Sequence, residues 1–234
     1  MDEFEYGEVC PVSKAASVLC ERWTLQIIRE MLMGVTRFSE FQRYLPKISP
    51  ALLNSRLKTL EEQDIIIKKK IPGKSGFEYQ LTAAGNGLKP LIIEFGKWGM
   101  NWAFDRVQEG ELNPSVIVRD FTYALDVEQL PSGECTIQFN ILEDELTTKK
   151  FVLVRDNKAQ YCDTNIGHEV EVYLTAELKT FYQIWFGECS LTSAQRKDKL
   201  TVVGPKNYTR NLSDWLRTSQ FAPFNKNANQ LTNE

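Results

Sequence analysis

Residues 46–70, PKISPALLNSRLKTLEEQDIIIKKK, gather side chains suited to meeting a polyanion. Ser49, Asn54, Ser55, Arg56 and Lys58 crowd one short span, and a run of lysines that includes Lys69 and Lys70 follows it. Amide, hydroxyl and guanidinium groups suit the base edges of a duplex. Lysines suit phosphates, where attraction depends on charge and not on sequence. Arg37 and Arg43 precede this span and Lys74 follows it, so residues 37–74 carry nine basic against four acidic side chains. The net charge of −3 hides that local excess. Residues 1–107 hold 15 basic and 13 acidic residues, and the remainder holds 13 and 18. An anionic partner therefore suits the first half and not the second.

Other chemistries have little material. His168 is the single histidine, which leaves no basis for a histidine metal site or a Ser-His-Asp triad, and in NIGHEVE it reads as a turn residue. Five cysteines (Cys10, Cys20, Cys135, Cys162, Cys189) are widely spaced without a C-x-x-C pair, against both a disulfide framework and a zinc site. Phosphate-binding and nucleophile-elbow motifs do not occur. The sequence thus points to a binding protein with no cofactor and no enzymatic activity. No apolar run approaches the ~20 residues of a membrane span. The N-terminus MDEFEYGEVC lacks the basic-then-apolar build of a secretory signal, so a cytoplasmic location is expected.

The elements that must position these residues follow from periodicity. PVSKAASVLCERWTLQIIREMLMG predicts two helices with a break near Glu21–Arg22, and TRFSEFQRYL a third. Ser49 is a natural N-cap and Pro50 fits the first helical position, opening a fourth helix over about 50–62. At ~100° per residue, Leu53, Leu57 and Leu60 fall on one side. Ala51, Ser55, Lys58 and Glu62 fall on the other, with Asn54 and Arg56 flanking. DIIIKKKI and FEYQLT read as strands joined by the PGKSG turn, and TAAGNGLKPLIIEFGKWGMNWAFDRV as a closing helix weakened by Pro90 and its glycines. A helix, a turn, a second helix with a polar outer face and a basic hairpin make up a winged helix built for DNA.

Residues 10–107 resemble the HxlR-type winged helix-turn-helix transcriptional regulators. The resemblance is carried by CP at Cys10-Pro11, RWT at Arg22–Thr24, RFSE at Arg37–Glu40, LPKIS at Leu45–Ser49, LLNSRLKTLEE at Leu52–Glu62, EYQLTAAG at Glu78–Gly85 and WG at Trp98-Gly99. One departure is Cys20-Glu21, where the family usually has a glycine. The resemblance implies that helix 50–62 enters the major groove of a double-stranded DNA operator with Ser49, Asn54, Ser55, Arg56 and Lys58. It implies that Arg37 and Arg43 contact phosphates and that Lys69, Lys70 and Lys74 form the wing. It also implies a homodimer paired through the first and last helices, here residues 11–20 and the Trp98–Trp102–Phe104 region. Cys10 stands where several such regulators carry a redox-sensing thiol; a cysteine that simply packs is the competing reading.

A boundary is expected at 108–114, within QEGELNPS, giving domains 1–107 and 115–222 and a polar disordered tail over 223–234. Beyond the boundary VRDFTYALDV, CTIQFNIL, KKFVLVRD and KAQYCDT read as strands, with a tight turn at Asp156-Asn157. TAELKTFYQIWFGE reads as an aromatic helix closed by Gly187, KLTVVG as a strand and YTRNLSDWLRTS as a final helix. Over about 169–218 this course is similar to the sterol carrier protein type 2 fold, in which a sheet and helices enclose an apolar tunnel. That likeness implies an apolar, lipid-like ligand lined by Phe181, Trp185 and Phe186. The fold class expected is therefore a mainly α winged helix-turn-helix N-terminal domain plus an α+β, sterol-carrier-like C-terminal domain. Two functions fit it: a ligand-responsive transcription regulator, or a chain whose second domain carries lipids or only braces a dimer.

Overall fold

The computed structural model describes residues 9–73, 75–105, 109–131, 134–143, 146–165 and 167–226. The chain divides into two compact units, Met1–Phe95 and Gly96–Glu234.

The first unit opens with α1 (Pro11–Leu19), which has Cys10 at its N-cap and proline at its first position. Trp23, in the left-handed region at φ 78°, turns the chain into α2 (Thr24–Leu32). A bulky residue rarely adopts that conformation. The bend is thus made at Trp23, while Cys20 sits at an ordinary φ of −83° and needs no glycine. In α3 (Phe38–Tyr44), Glu40 Oε2 accepts the backbone N–H groups of Thr36 (3.0 Å) and Arg37 (2.9 Å), satisfying donors the helix start leaves open. Ser49 Oγ accepts from Leu52 N at 3.3 Å and Pro50 begins α4 (Pro50–Glu62). Leu53, Leu57 and Leu60 are buried with Ile27, Ile28, Phe41 and Ile66 in one core.

The wing is the antiparallel pair β1 (Ile66–Lys70) and β2 (Phe77–Leu81), in register from Ile66 opposite Leu81 to Lys70 opposite Phe77. Tyr79 N donates to Thr36 O at 2.8 Å and ties the wing to the turn before α3. Thr82 caps α5 (Ala83–Gly87), its hydroxyl accepting from Gly85 N at 3.1 Å and donating to the carbonyls of Asp64 and Ile65. One helix, α6 (Lys89–Trp102), crosses the division between the units. Leu88 and Ile92 pack on the first core, and the helix ends in the second unit.

The second unit begins with a difference from the sequence reading. VRDFTYALDV, expected as a strand, lies in α7 (Pro114–Ala124) and the 3-10 turn at Val127–Gln129. Asn113 Oδ1 caps the helix by accepting from Ser115 N and Val116 N, and Pro114 occupies its first position. Ile117, Val118 and Phe121 then bury at helical spacing. The strands are β3 (Cys135–Glu143), β4 (Leu146–Arg155), β5 (Lys158–Cys162), β6 (Val172–Glu177) and β7 (Leu200–Val203). Their order is β5-β4-β3-β6-β7, with β3 and β6 parallel and the other neighbours antiparallel. Asp156 and Asn157 make the β4–β5 turn at φ 51° and 58°.

The aromatic helix α8 (Leu178–Trp185) starts three residues later than expected, because Thr175–Glu177 still pair in β6. Three short helices complete the unit, α9 (Leu191–Arg196), α10 (Lys206–Thr209) and α11 (Leu212–Trp215). The final helix expected from YTRNLSDWLRTS is thus two separate turns of helix. α7 and α8 cover the sheet face that carries Ile137, Phe139 and Leu174.

Residues 223–226, expected in a disordered tail, are held by specific contacts, with Asn225 buried. A 3-10 turn spans Ala222–Phe224, and buried Asn225 donates through Nδ2 to Phe186 O at 2.9 Å. Ser219 N bonds Trp185 O at 3.0 Å, and the Lys226 ammonium sits 3.4 Å from the Trp102 ring centroid. A methyl placed on Gly96 would stand 2.5 Å from the ring of Phe221. The segment therefore packs along the back of α6. The tail residues 227–234 lie outside the described residues.

Candidate nucleic-acid interface

Burying Leu53, Leu57 and Leu60 turns the opposite side of α4 outward. Asn54, Ser55 and Lys58 are exposed on it, together with Ala51, Glu61 and Glu62. Lys58 forms a 3.4 Å pair with Glu62 one turn on. Both side chains are open to water there, so the pair contributes little and leaves the ammonium available. Ser49 is exposed at the helix start, where its hydroxyl already serves as the cap.

Arg56 stands apart from that face. Its Nη2 lies 2.5 Å from Glu21 Oε2 and its Nε donates to Arg22 O at 3.0 Å. The guanidinium is turned toward the α1–α2 connection, and the side chain keeps 16% of its exposure. The expected placement of Arg56 beside Asn54 at base edges is therefore not the arrangement in this structure. Glu21 is the partner the sequence reading missed, because it lies 35 residues away in a different element.

On the wing, Lys69 and Lys70 are both exposed. Lys69 Nζ donates to Gln80 Oε1 at 2.7 Å, and Gln80 Nε2 donates to Glu78 Oε1 at 2.9 Å, so a carboxylate backs that lysine. Lys68, also exposed and not among the expected contacts, rests 4.4 Å above the Phe77 ring. Lys74 lies outside the described residues. Arg37 is half-buried at the start of α3 and Arg43 is exposed in its last turn. Lys47 is exposed two residues before the α4 cap; a basic residue in the turn ahead of Ser49-Pro50 was the signal that could have found it.

Cys10 is half-exposed at the N-terminus of α1. The backbone N–H groups of Ser13 and Val12 hold its thiol below the ordinary value, with the Ser13 side chain adding to the effect. Cys135 in the sheet core is pushed up to about 11 by burial and by the nearby Glu171 carboxylate. Cys162 is raised by burial and by Asp163. Among the described residues no three histidine, cysteine, aspartate or glutamate side chains cluster as metal ligands, and no helix is long and apolar enough to cross a membrane.

The three residues expected to line an apolar tunnel have different surroundings. Phe181 is buried with its ring 5.4 Å from Phe139, and Trp185 packs 5.1 Å from Phe121. Phe186 is half-buried, tilted against Phe104 at 4.8 Å. Phe104 is thereby occupied within the second unit. Leu91, Phe95, Trp98 and Trp102, spaced along α6, remain exposed, the last three at 58%, 59% and 66%. Val12 on α1 is exposed as well.

Residues 18–106 match the model of the HxlR-like helix-turn-helix family. The HTH-type transcriptional regulator YvaP of Bacillus subtilis is 38% identical over 98 residues, which span 41% of this chain and 91% of that protein. The regulator sll1512 of Synechocystis is 33% identical over 42% of this chain and 74% of its own length. YdeP of B. subtilis is 32% identical over 47% and 84%. Each is named as an HTH-type transcriptional regulator.

Proposed function

Because the chain belongs through its first unit to the HxlR-like helix-turn-helix family of transcriptional regulators, we propose that it binds operator DNA as a homodimer, with α4 in the major groove and the β1–β2 wing on the backbone. The observation that carries this reading is the two-sidedness of α4. Three buried leucines fix its orientation, and Asn54, Ser55 and Lys58 face away from the core. Asn54 and Ser55 offer groups for base edges, and Lys58, Lys69 and Lys70 offer charge for phosphates. The Leu91–Phe95–Trp98–Trp102 stripe supports the dimer, since so large an apolar surface on one helix is the kind that a second copy covers.

Selection of bound fragments from randomised duplexes, with the full chain, tests this. The expected result is a two-fold symmetric site whose half-sites are centred about one helical turn, ~34 Å, or a multiple apart. Asn54→Ala should flatten base preference within each half-site while sparing binding to random DNA. Recovery of no enriched sequence at low salt would refute the assignment.

For the second unit the reading is a regulatory domain joined to the DNA reader through α6. A sheet with helices over one face suits the layout that the sterol-carrier likeness implies, and an apolar ligand would be its input. The stacking of Phe121, Phe139, Phe181 and Trp185 favours a second reading, in which this unit braces the dimer. Those rings pack on one another at 5.1–5.8 Å, as core aromatics do. Native mass spectrometry of the purified full chain separates the two: a retained apolar mass supports sensing, and a mass equal to the polypeptide under every expression condition supports bracing.

A further inference from the structure

Of the two cations on α4, Lys58 pairs only with exposed Glu62 on the same helix, whereas Arg56 is drawn to a carboxylate outside it and is mostly buried. Glu21 Oε2 meets its Nη2 at 2.5 Å and Arg22 O takes its Nε at 3.0 Å, so both bonds draw the guanidinium off the outward face. Its Cα nonetheless lies on the flank of the reading surface, between Ser55 and Leu57, and an arginine side chain is long enough to swing outward when released. Glu21 keeps 31% of its own exposure, so the carboxylate holding Arg56 is itself reached by solvent. A free arginine on this helix would add a contact to phosphate or to guanine, the first indifferent to sequence.

We propose that Glu21 is a specificity-determining residue that withholds Arg56 from DNA. By holding the guanidinium on the α1–α2 connection it keeps the outward face of α4 dependent on Asn54, Ser55 and Lys58, and it lowers binding to random sequence. Glu21 acts through Arg56 and is a positioning residue. The inference rests on the DNA-reading assignment above.

The test is the salt dependence of binding to a random-sequence duplex, read by fluorescence anisotropy with the full chain. Neutralising one phosphate changes the slope of log K against log salt by about 0.9 and the affinity at 0.1 M salt by roughly 3–10-fold. Glu21→Gln should steepen the slope by about one contact and tighten random-duplex binding by that factor. Arg56→Gln should leave the wild-type slope unchanged, whereas Lys70→Gln should flatten it. The Glu21→Gln, Arg56→Gln double variant should return to the wild-type slope. These last three proteins keep the question open to measurement even if Glu21→Gln alone folds poorly. An Arg56→Gln slope flattened like that of Lys70→Gln, or an unchanged slope in a folded Glu21→Gln protein, overturns the proposal and leaves the DNA assignment standing. Wild-type protein that binds no duplex at low salt overturns both.

Discussion

Gly85 lies directly beneath the backbone carbonyl of Ile65, closer than any side chain could stand. The contact joins α5 to Ile65, the residue that leads into the wing, and Thr82 reinforces it by bonding the same carbonyl at 3.0 Å. This is the physical content of the TAAG sequence: the threonine caps the helix and the glycine lets the wing approach it.

Gly85→Ala must therefore push backbone against backbone. The expected cost is about 1–3 kcal/mol, seen as a fall in the melting temperature of the first unit of roughly 10 °C. Gly87→Ala in the same short helix is the control, since nothing stands within 4 Å of a methyl there. It should be neutral or slightly stabilising. Equal melting temperatures for the two variants would show that the Ile65 contact is not restrictive.

The thiols should separate by pH. Cys10, held low by the N–H groups at the start of α1, should be alkylated first and with an apparent pKa below the usual thiol range. Cys135 should stay unmodified in the folded protein, because its pKa is raised to about 11. Its sign also fixes a stability trend. A thiol raised on folding favours the native state below its unfolded pKa of ~8.5, and that contribution is lost as pH rises from there through about 11. Peptide mapping after brief alkylation between pH 7 and 9 reads the order, and a Cys10 that titrates no earlier than the unfolded chain's thiols would contradict it.

The α6 stripe predicts the oligomeric state. Trp98→Glu places a charge at an exposed position and should leave the monomer folded while abolishing the dimer in light scattering. Operator affinity should fall with it, as each half-site is then bound alone. A wild-type chain that is monomeric at tens of micromolar would remove the dimer from the proposed function.

What could be read in advance was what local chemistry dictates. Ser49-Pro50 announced α4 and the leucine spacing gave its buried side, so its outward residues followed. The same kind of signal at Asn113-Pro114 was passed over as a linker. Phe121, Tyr123 and Leu125 alternate like a strand, whereas Ile117, Val118, Phe121 and Leu125 are the residues that bury. Exposed Tyr123 made the false period. The Glu21–Arg56 pair was not legible at all, because one partner lies in the α1–α2 connection and the other on α4, and they meet only in the folded unit. The aromatic residues of α8 read as a lining; their ring neighbours Phe121 and Phe139 come from α7 and β3, partners that spacing along one helix does not reveal.

The path of α6 bears on how the two halves can be exchanged. Its front turns are anchored by Ile92 in one core, and its back turns carry Gly96, whose missing side chain makes room for Phe221. The division between the two units falls inside this helix, between Phe95 and Gly96. A chimaera that grafts the second half onto another reader must bring the rear of this helix with it, or supply a glycine where Phe221 will land.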